Sequence, residues 1–357
     1  MSKVTVIGAG MVGATCANVL AARNVADEGV LIDIKEGLSE GKMLDMYQAS
    51  ATTDSKSKLV GSTNDYKKTA NSDVIVVTSG IPRKPGMTRE ELIGTNANIV
   101  KSVVSQALAH SPRAIFIIVS NPMDTMAYLT LKSTGLPKNR VIGMGGALDS
   151  SRFRCYLAKA AGANIHDVDG MVIGGHGDTT MIPLTSKATI KGVPASQFLS
   201  KKKLAQVAAD TMVGGATLTG LLGTSAWYAP GAAAASMVEA ILGDQKRMIP
   251  CGCYLEGEYG QNDIMIGVPA IIGRKGIEKI VKVELTKEEQ EKFEASAAAV
   301  RKVNQILYDT NVTYDFEGLY VYTCAYSTPM DITITTRGGG QGKLLMFRDS
   351  FGRALGS

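Results

Sequence analysis

The chain has 357 residues, 45% hydrophobic and 20% charged, a balance that supports more than one packed core and excludes an intrinsically disordered chain. Its formal net charge of +5, from 38 basic and 33 acidic side chains, is too small and too dispersed for a nucleic-acid binder. Apolar runs such as residues 114–119 are far too short to span a bilayer.

Residues 1–7 run straight into a strand-like segment with no secretory h-region, so a cytoplasmic location is expected. The first 150 residues then alternate apolar runs with amphipathic ones. Strands are predicted at 4–7, 30–34, 74–77 and 114–119, and helices at about 14–23, 38–48 and 90–110. Continuous apolar strands separated by helices predict a parallel sheet covered on both faces. A linker-like stretch at 142–146 leads to a helix predicted to start near Asp149. Beyond it come strands at 171–173 and 264–272 and helices at about 204–222, 231–242 and 287–308. Thr286 and Glu289 form a capping box for the last helix. Five cysteines without a CxxC spacing, and three histidines, predict reduced thiols and no metal site.

The first strand leads into Gly8-Ala9-Gly10-Met11-Val12-Gly13. In a strand–turn–helix setting, Gly8 permits the tight turn, Gly10 lets backbone approach a pyrophosphate, and Gly13 lets helix and strand pack closely. The helix N-terminus offers free N–H groups and a positive dipole end to phosphate. Asp33 ends the next strand about twenty residues on, where its carboxylate accepts from ribose hydroxyls and repels a 2′-phosphate. This favours NAD over NADP.

His176 lies in Gly174-Gly175-His176-Gly177-Asp178, just after the 171–173 strand. A neutral imidazole there can take a proton as an alcohol loses hydride and return it in reverse. Asp149 is the candidate carboxylate to hold its tautomer, and also reads as a helix N-cap. Arg152, three residues on, shares a helical turn with it and can grip a carboxylate bidentately. The basic loop from Gly80 to Arg89 follows the 74–77 strand and can close over the sheet's ligand crevice.

These pieces together resemble the malate/lactate dehydrogenase family, and within it the lactate-dehydrogenase-like malate dehydrogenases. The matching motifs are GAGMVG (8–13), LIDI (31–34), TSGIPRKPGMTR (78–89), VSNPMD (119–124), GALDSSRF (146–153) and IGGHGDTTMIP (173–183), in the family's order over residues 1 to about 309. The resemblance implies an α/β chain. A Rossmann NAD-binding domain with a parallel sheet would occupy 1–145, followed by an α+β substrate and catalytic domain at 146–309. His176 would be the acid/base and Asp149 its partner. Arg152 would bind the substrate's C1 carboxylate, and Arg89 would polarise the C2 oxygen. Asn121 would contact substrate and cofactor, and Ser225 would be a small pocket wall. Gly8, Ala9, Gly10, Met11, Val12, Gly13 and Asp33 would hold the adenosine half of NAD, with Asn96, Val119, Ser120 and Asn121 on the nicotinamide side. Arg83 decides the substrate: in the family, Gln there goes with lactate and Arg with malate. A methyl group opposite Arg83 would leave a buried cation unpaired, at a cost of roughly several kcal/mol, whereas a second carboxylate pairs it.

The implied activity is reversible oxidation of (S)-malate to oxaloacetate with NAD, by a homo-dimer or homo-tetramer that binds a C4 dicarboxylate, with no nucleic-acid or membrane partner. A lactate-like 2-hydroxyacid dehydrogenase is the near alternative, and an NAD-dependent glycosidase a more distant one. Residues 310–357 depart from the family, with a glycine-rich turn at 338–342 between two strand-like runs. Residues 343–352 are similar to the Asp-Ser nucleophile segment of SGNH-like acyltransferases, which would make Ser350 a nucleophile. With seven residues after Ser350 and no histidine among them, a partly disordered fusion remnant is expected rather than a second activity.

Overall fold

The computed structural model describes residues 1–82 and 88–309, and five strands beyond them. Arg83, Ser350 and the Arg89 side chain lie outside the described residues. The chain begins β1 (Lys3–Ile7), α1 (Met11–Ala22), β2 (Glu28–Asp33), α2 (Leu38–Thr53), β3 (Lys58–Thr63), β4 (Val74–Val77), α3 (Arg89–His110), β5 (Ile115–Ile118), α4 (Met123–Thr134) and β6 (Val141–Gly143). These six strands are parallel, in the order β3-β2-β1-β4-β5-β6, which is the Rossmann arrangement. All of β4 and β5 is buried, as expected of strands covered by helices on both faces. The order reverses between β1 and β4, and this switch point opens a crevice beyond their carboxyl ends.

The second half continues with α5 (Gly145–Ala161), β7 (Val168–Asp169), β8 (Val172–Gly174), β9 (Met181–Pro183), β10 (Thr189–Ile190), β11 (Val193–Pro194), α6 (Lys201–Met212), α7 (Gly214–Leu222) and α8 (Tyr228–Leu242). Next come β12 (Arg247–Glu256), β13 (Asn262–Gly273), β14 (Gly276–Ile280) and α9 (Lys287–Asp309). The β12–β13 hairpin joins β6 antiparallel and extends the sheet through β8 to β9. An α+β half is thus welded to the Rossmann half through one sheet. Beyond it, β15 (Val312–Phe316), β16 (Tyr320–Thr328) and β17 (Asp331–Thr336) form an antiparallel sheet, and β18 (Phe347–Arg348) pairs with β19 (Ala354–Leu355). Among the described residues no helix is long and apolar enough to cross a membrane.

Several local expectations need correction. The stretch at 142–146 is no linker: it is the end of β6 and the first turn of α5. An added Cβ at Gly145 would lie 2.6 Å from His176 Cγ, so the glycine is there for close approach rather than flexibility. Asp149 therefore sits inside α5, not at its N-cap, which is Met144. The helix expected at 204–222 is two, parted at Val213. The alanine-rich segment at 231–240 lies in α8 and packs on α1 of the same chain. An added Cβ at Gly231 would come within 2.7 Å of Thr15 Cβ. Strand β12 carries no clear sequence signal because Pro250 and Gly252 interrupt it. Pairing with β13 holds it in place. The capping box of Thr286 and Glu289 forms as expected, with Thr286 N donating to Glu289 Oε2 at 2.9 Å and Glu289 N to Thr286 Oγ1 at 3.2 Å.

Candidate active site

The turn after β1 lies at the switch point. Gly8 has φ +106°, a left-handed conformation that a side chain would strain. An added Cβ on Gly13 would stand 1.8 Å from Gly8 O, which only bare backbone avoids. Thr78, leaving β4, closes the turn from the far side, its Oγ1 donating to Gly8 O at 3.0 Å and Ile7 O at 3.1 Å. Gly10 caps α1 with no side chain bonded to the helix's free N–H groups and no acidic residue in the first turn. An added Cβ at Gly10 would meet nothing within 4 Å. Asp33 Oδ2 accepts from Ala9 N at 2.7 Å, and its Oδ1 from Lys35 N at 2.9 Å. Lys42, from α2, donates to Ala9 O at 2.6 Å. An open anion-ready helix end beside an acceptor-only carboxylate suits the two ends of an adenosine diphosphate moiety, and these residues fit NAD.

The second cluster forms where α5, α4 and α9 meet the loop after β8. His176 Nδ1 lies 2.7 Å from Asp149 Oδ2, and Arg152 Nη1 lies 3.2 Å from Asp149 Oδ1. The Asp149 side chain is 2% exposed, so one buried carboxylate is shared between an imidazole and a guanidinium. An ionised carboxylate only accepts, so the Nδ1 proton stays on the ring and Nε2 is the lone pair that can take another. Arg152 Nε is buried with no hydrogen-bond partner among the described residues, an arrangement that favours a site for an incoming acceptor. The sequence pairing of His176, Asp149 and Arg152 is thus realised in space.

Two residues that sequence reasoning passed over hold the histidine loop. Ser296 of α9 accepts from Gly175 N at 2.9 Å and donates to Thr180 O at 2.7 Å. Asp124, in the first turn of α4, accepts from His176 N through Oδ2 at 2.6 Å. Burial pulls the His176 pKa down, but the charge and hydrogen bond of Asp149 and the charge of Asp124 outweigh it, leaving the pKa raised above the ordinary 6.5. Burial pushes the Asp124 carboxyl from the ordinary 3.8 up to about 6, against the hydrogen bond from His176. Asp124 belonged to the VSNPMD motif, so its position was visible although its contact was not.

The remaining expected residues are placed variously. Asn96 is buried in α3, its Oδ1 accepting from Ile81 N at 2.9 Å and its Nδ2 donating to Asn121 O at 2.8 Å. It therefore ties the root of the basic loop to the segment after β5. Val119 N donates to Val77 O at 2.9 Å, and Ser120 Oγ donates to Ser79 O, bringing this segment to the same crevice. Ser225 is exposed in the connection between α7 and α8, while Gly215 at the start of α7 lies against the Arg152 guanidinium. Arg89 stands at the start of α3, directly after the Thr88 cap.

A dinucleotide corner joined through one sheet to a buried His–Asp–Arg cluster defines an NAD-linked oxidoreductase. The chain belongs to the lactate/malate dehydrogenase family: residues 2–143 match its NAD binding domain and residues 146–307 its alpha/beta C-terminal domain. A malate dehydrogenase of Parabacteroides distasonis is 67% identical over 307 residues, 86% of this chain and 98% of that protein. The malate dehydrogenase structure from Salinibacter ruber superposes with TM-score 0.82 at 42% identity, over 86% of this chain and 97% of that one. A lactate dehydrogenase from Cryptosporidium parvum, solved with lactic acid and cofactor, superposes with TM-score 0.83 at 38% identity, over 87% and 98%. Backbone shape is thus shared across both substrate preferences, and side chains must tell them apart.

Proposed function

We propose that the protein interconverts (S)-malate and oxaloacetate with NAD. The carrying observation is the buried Asp149 carboxylate bridging His176 Nδ1 at 2.7 Å and Arg152 Nη1 at 3.2 Å. Bound NAD supplies the acceptor for the hydride leaving C2, and NADH the donor in reverse. His176 Nε2 takes the hydroxyl proton as the alcohol is oxidised and returns it on reduction. Asp149 holds the ring's tautomer and stabilises its cation. Arg152 orients the C1 carboxylate with a guanidinium already turned by Asp149. Arg89 stabilises charge developing on the C2 oxygen, and Asn121 contacts substrate and cofactor. Arg83 pairs with the far carboxylate, and Ser225 forms part of the pocket wall. Gly8 to Gly13 and Asp33 hold the adenosine half of the cofactor, while Asn96, Val119 and Ser120 form the nicotinamide side.

In this reading residues 1–145 bind NAD and lend Arg83, Arg89 and Asn121 to the substrate, while 146–309 form the substrate and catalytic domain with His176, Asp149 and Arg152. The protein works in the cytoplasm as a homo-dimer or homo-tetramer. Exposed apolar side chains on α2 (Leu44, Tyr47) and around α7 and α8 (Leu221, Tyr228) supply surface for such contacts. The deciding experiment compares kcat/KM for oxaloacetate and pyruvate, in the wild type and in Arg83→Gln. Oxaloacetate should be favoured by about a hundredfold or more, with the preference collapsing in the variant. Comparable values for the two substrates in the wild type would overturn the reading.

A further inference from the structure

Asp124 is 7% exposed, and its Oδ1 is buried with no hydrogen-bond partner among the described residues. Its Oδ2 holds the backbone N–H of His176 at 2.6 Å. A neutral acceptor could make that bond without burying a charge. The hydrogen bond therefore does not account for a carboxylate. Nor does fixing the loop, because the uncharged Ser296 already clamps Gly175 N and Thr180 O.

Charge accounts for it. Among the described residues, the charged groups acting on the imidazole are Asp149 and Arg152 from α5 and Asp124 from α4; α9 contributes the neutral Ser296. With both carboxylates ionised and Arg152 positive, the cluster carries one net negative charge while the ring is neutral. A proton arriving at His176 brings it to zero. Without Asp124 the same proton would leave a net positive charge in a buried site.

We propose that Asp124 is the second carboxylate of the acid/base centre: a positioning residue that fixes the His176 backbone and makes the proton-loaded ring the electrically neutral state. This rests on His176 being the proton carrier. Both resolved pKa directions agree with it: Asp124 helps to raise His176, and His176 works against the burial that raises Asp124.

The test is a ring-nitrogen NMR titration of the full chain labelled at histidine. The sequence has three histidines, and His176→Asn identifies the signal of interest. In Asp124→Asn, which keeps an acceptor oxygen for His176 N, the His176 midpoint should fall by about one pH unit. The kcat/KM for oxaloacetate reduction, which needs the protonated ring, should lose its activity at a correspondingly lower pH. Ser296→Ala should slow turnover yet leave the His176 midpoint unmoved. An unchanged midpoint in Asp124→Asn, or an equal shift in Ser296→Ala, overturns the proposal. Should Asp124→Asn fail to fold, the wild-type His176 signal decides. It should show a second inflection near pH 6 as Asp124 titrates, and a single-step curve is the contrary result. The titration needs no turnover, so a failed oxaloacetate assay and a failed charge argument are told apart.

Discussion

Replacing Asp124 with Asn should make the protein relatively more stable as pH rises. The Asp124 carboxyl is raised from 3.8 to about 6 in the folded chain, so the folded state holds a proton that the unfolded state has released. Stability is lost wherever the folded state binds more protons and pH increases. The burial penalty is nearly absent below pH 4, about half developed at pH 5, and complete above pH 7. A displacement of about two pH units corresponds to ~3 kcal/mol. Asn has no such titration. His176 acts in the same direction: its raised pKa contributes stability that is full below its unfolded value and fades as pH climbs through the folded one. Part of that contribution goes with the Asp124 charge. Between pH 5 and pH 8, the stability of Asp124→Asn relative to wild type should therefore increase by about 1.5 kcal/mol or somewhat more. Reversible urea denaturation at the two pH values measures it. Using a difference of differences cancels any fixed penalty from the buried amide. A relative stability that is flat or falls with pH would refute the reasoning.

Other substitutions probe the two ends of the site. Gly13→Ala would set a Cβ 1.8 Å from Gly8 O, so the turn must move; NADH fluorescence titration should show binding weakened tenfold or more (~1.4 kcal/mol), and unaltered binding would contradict the packing. His176→Asn should abolish turnover while NADH binding stays largely intact, and retained turnover removes the ring from proton transfer. Asp33→Ser should narrow the preference for NAD over NADP in steady-state assays; an unchanged ratio would exclude the ribose contact.

What the sequence disclosed depended on how local the physics was. The glycine turn was legible because Gly8 to Gly13 shape it within six consecutive residues, between a strand and a helix that the apolar pattern already announced. The His176–Asp149–Arg152 cluster was legible through residue chemistry and motif order. The helix carrying Asp149 was misjudged by four residues. Its first turn is Gly145-Gly146, poor helix formers, tolerated because His176 and Pro250 press against them. Strand β12 was hidden for a similar reason, Pro250 and Gly252 masking a segment that tertiary pairing dictates. Ser296 and Asp124 were out of reach altogether as loop anchors. They meet the histidine loop from 121 and 52 residues away in the chain, and no local pattern marks such a meeting.

Because Arg152 and His176 lean on the two oxygens of one carboxylate, ligand capture and ring basicity are thermodynamically linked. An anion that draws Arg152 toward itself leaves more of Asp149 to the imidazole, which then takes up hydrogen ions from solution. Inhibitory dicarboxylates should therefore bind with an apparent enthalpy that varies with the ionisation heat of the buffer. Calorimetry in two buffers would count those hydrogen ions directly.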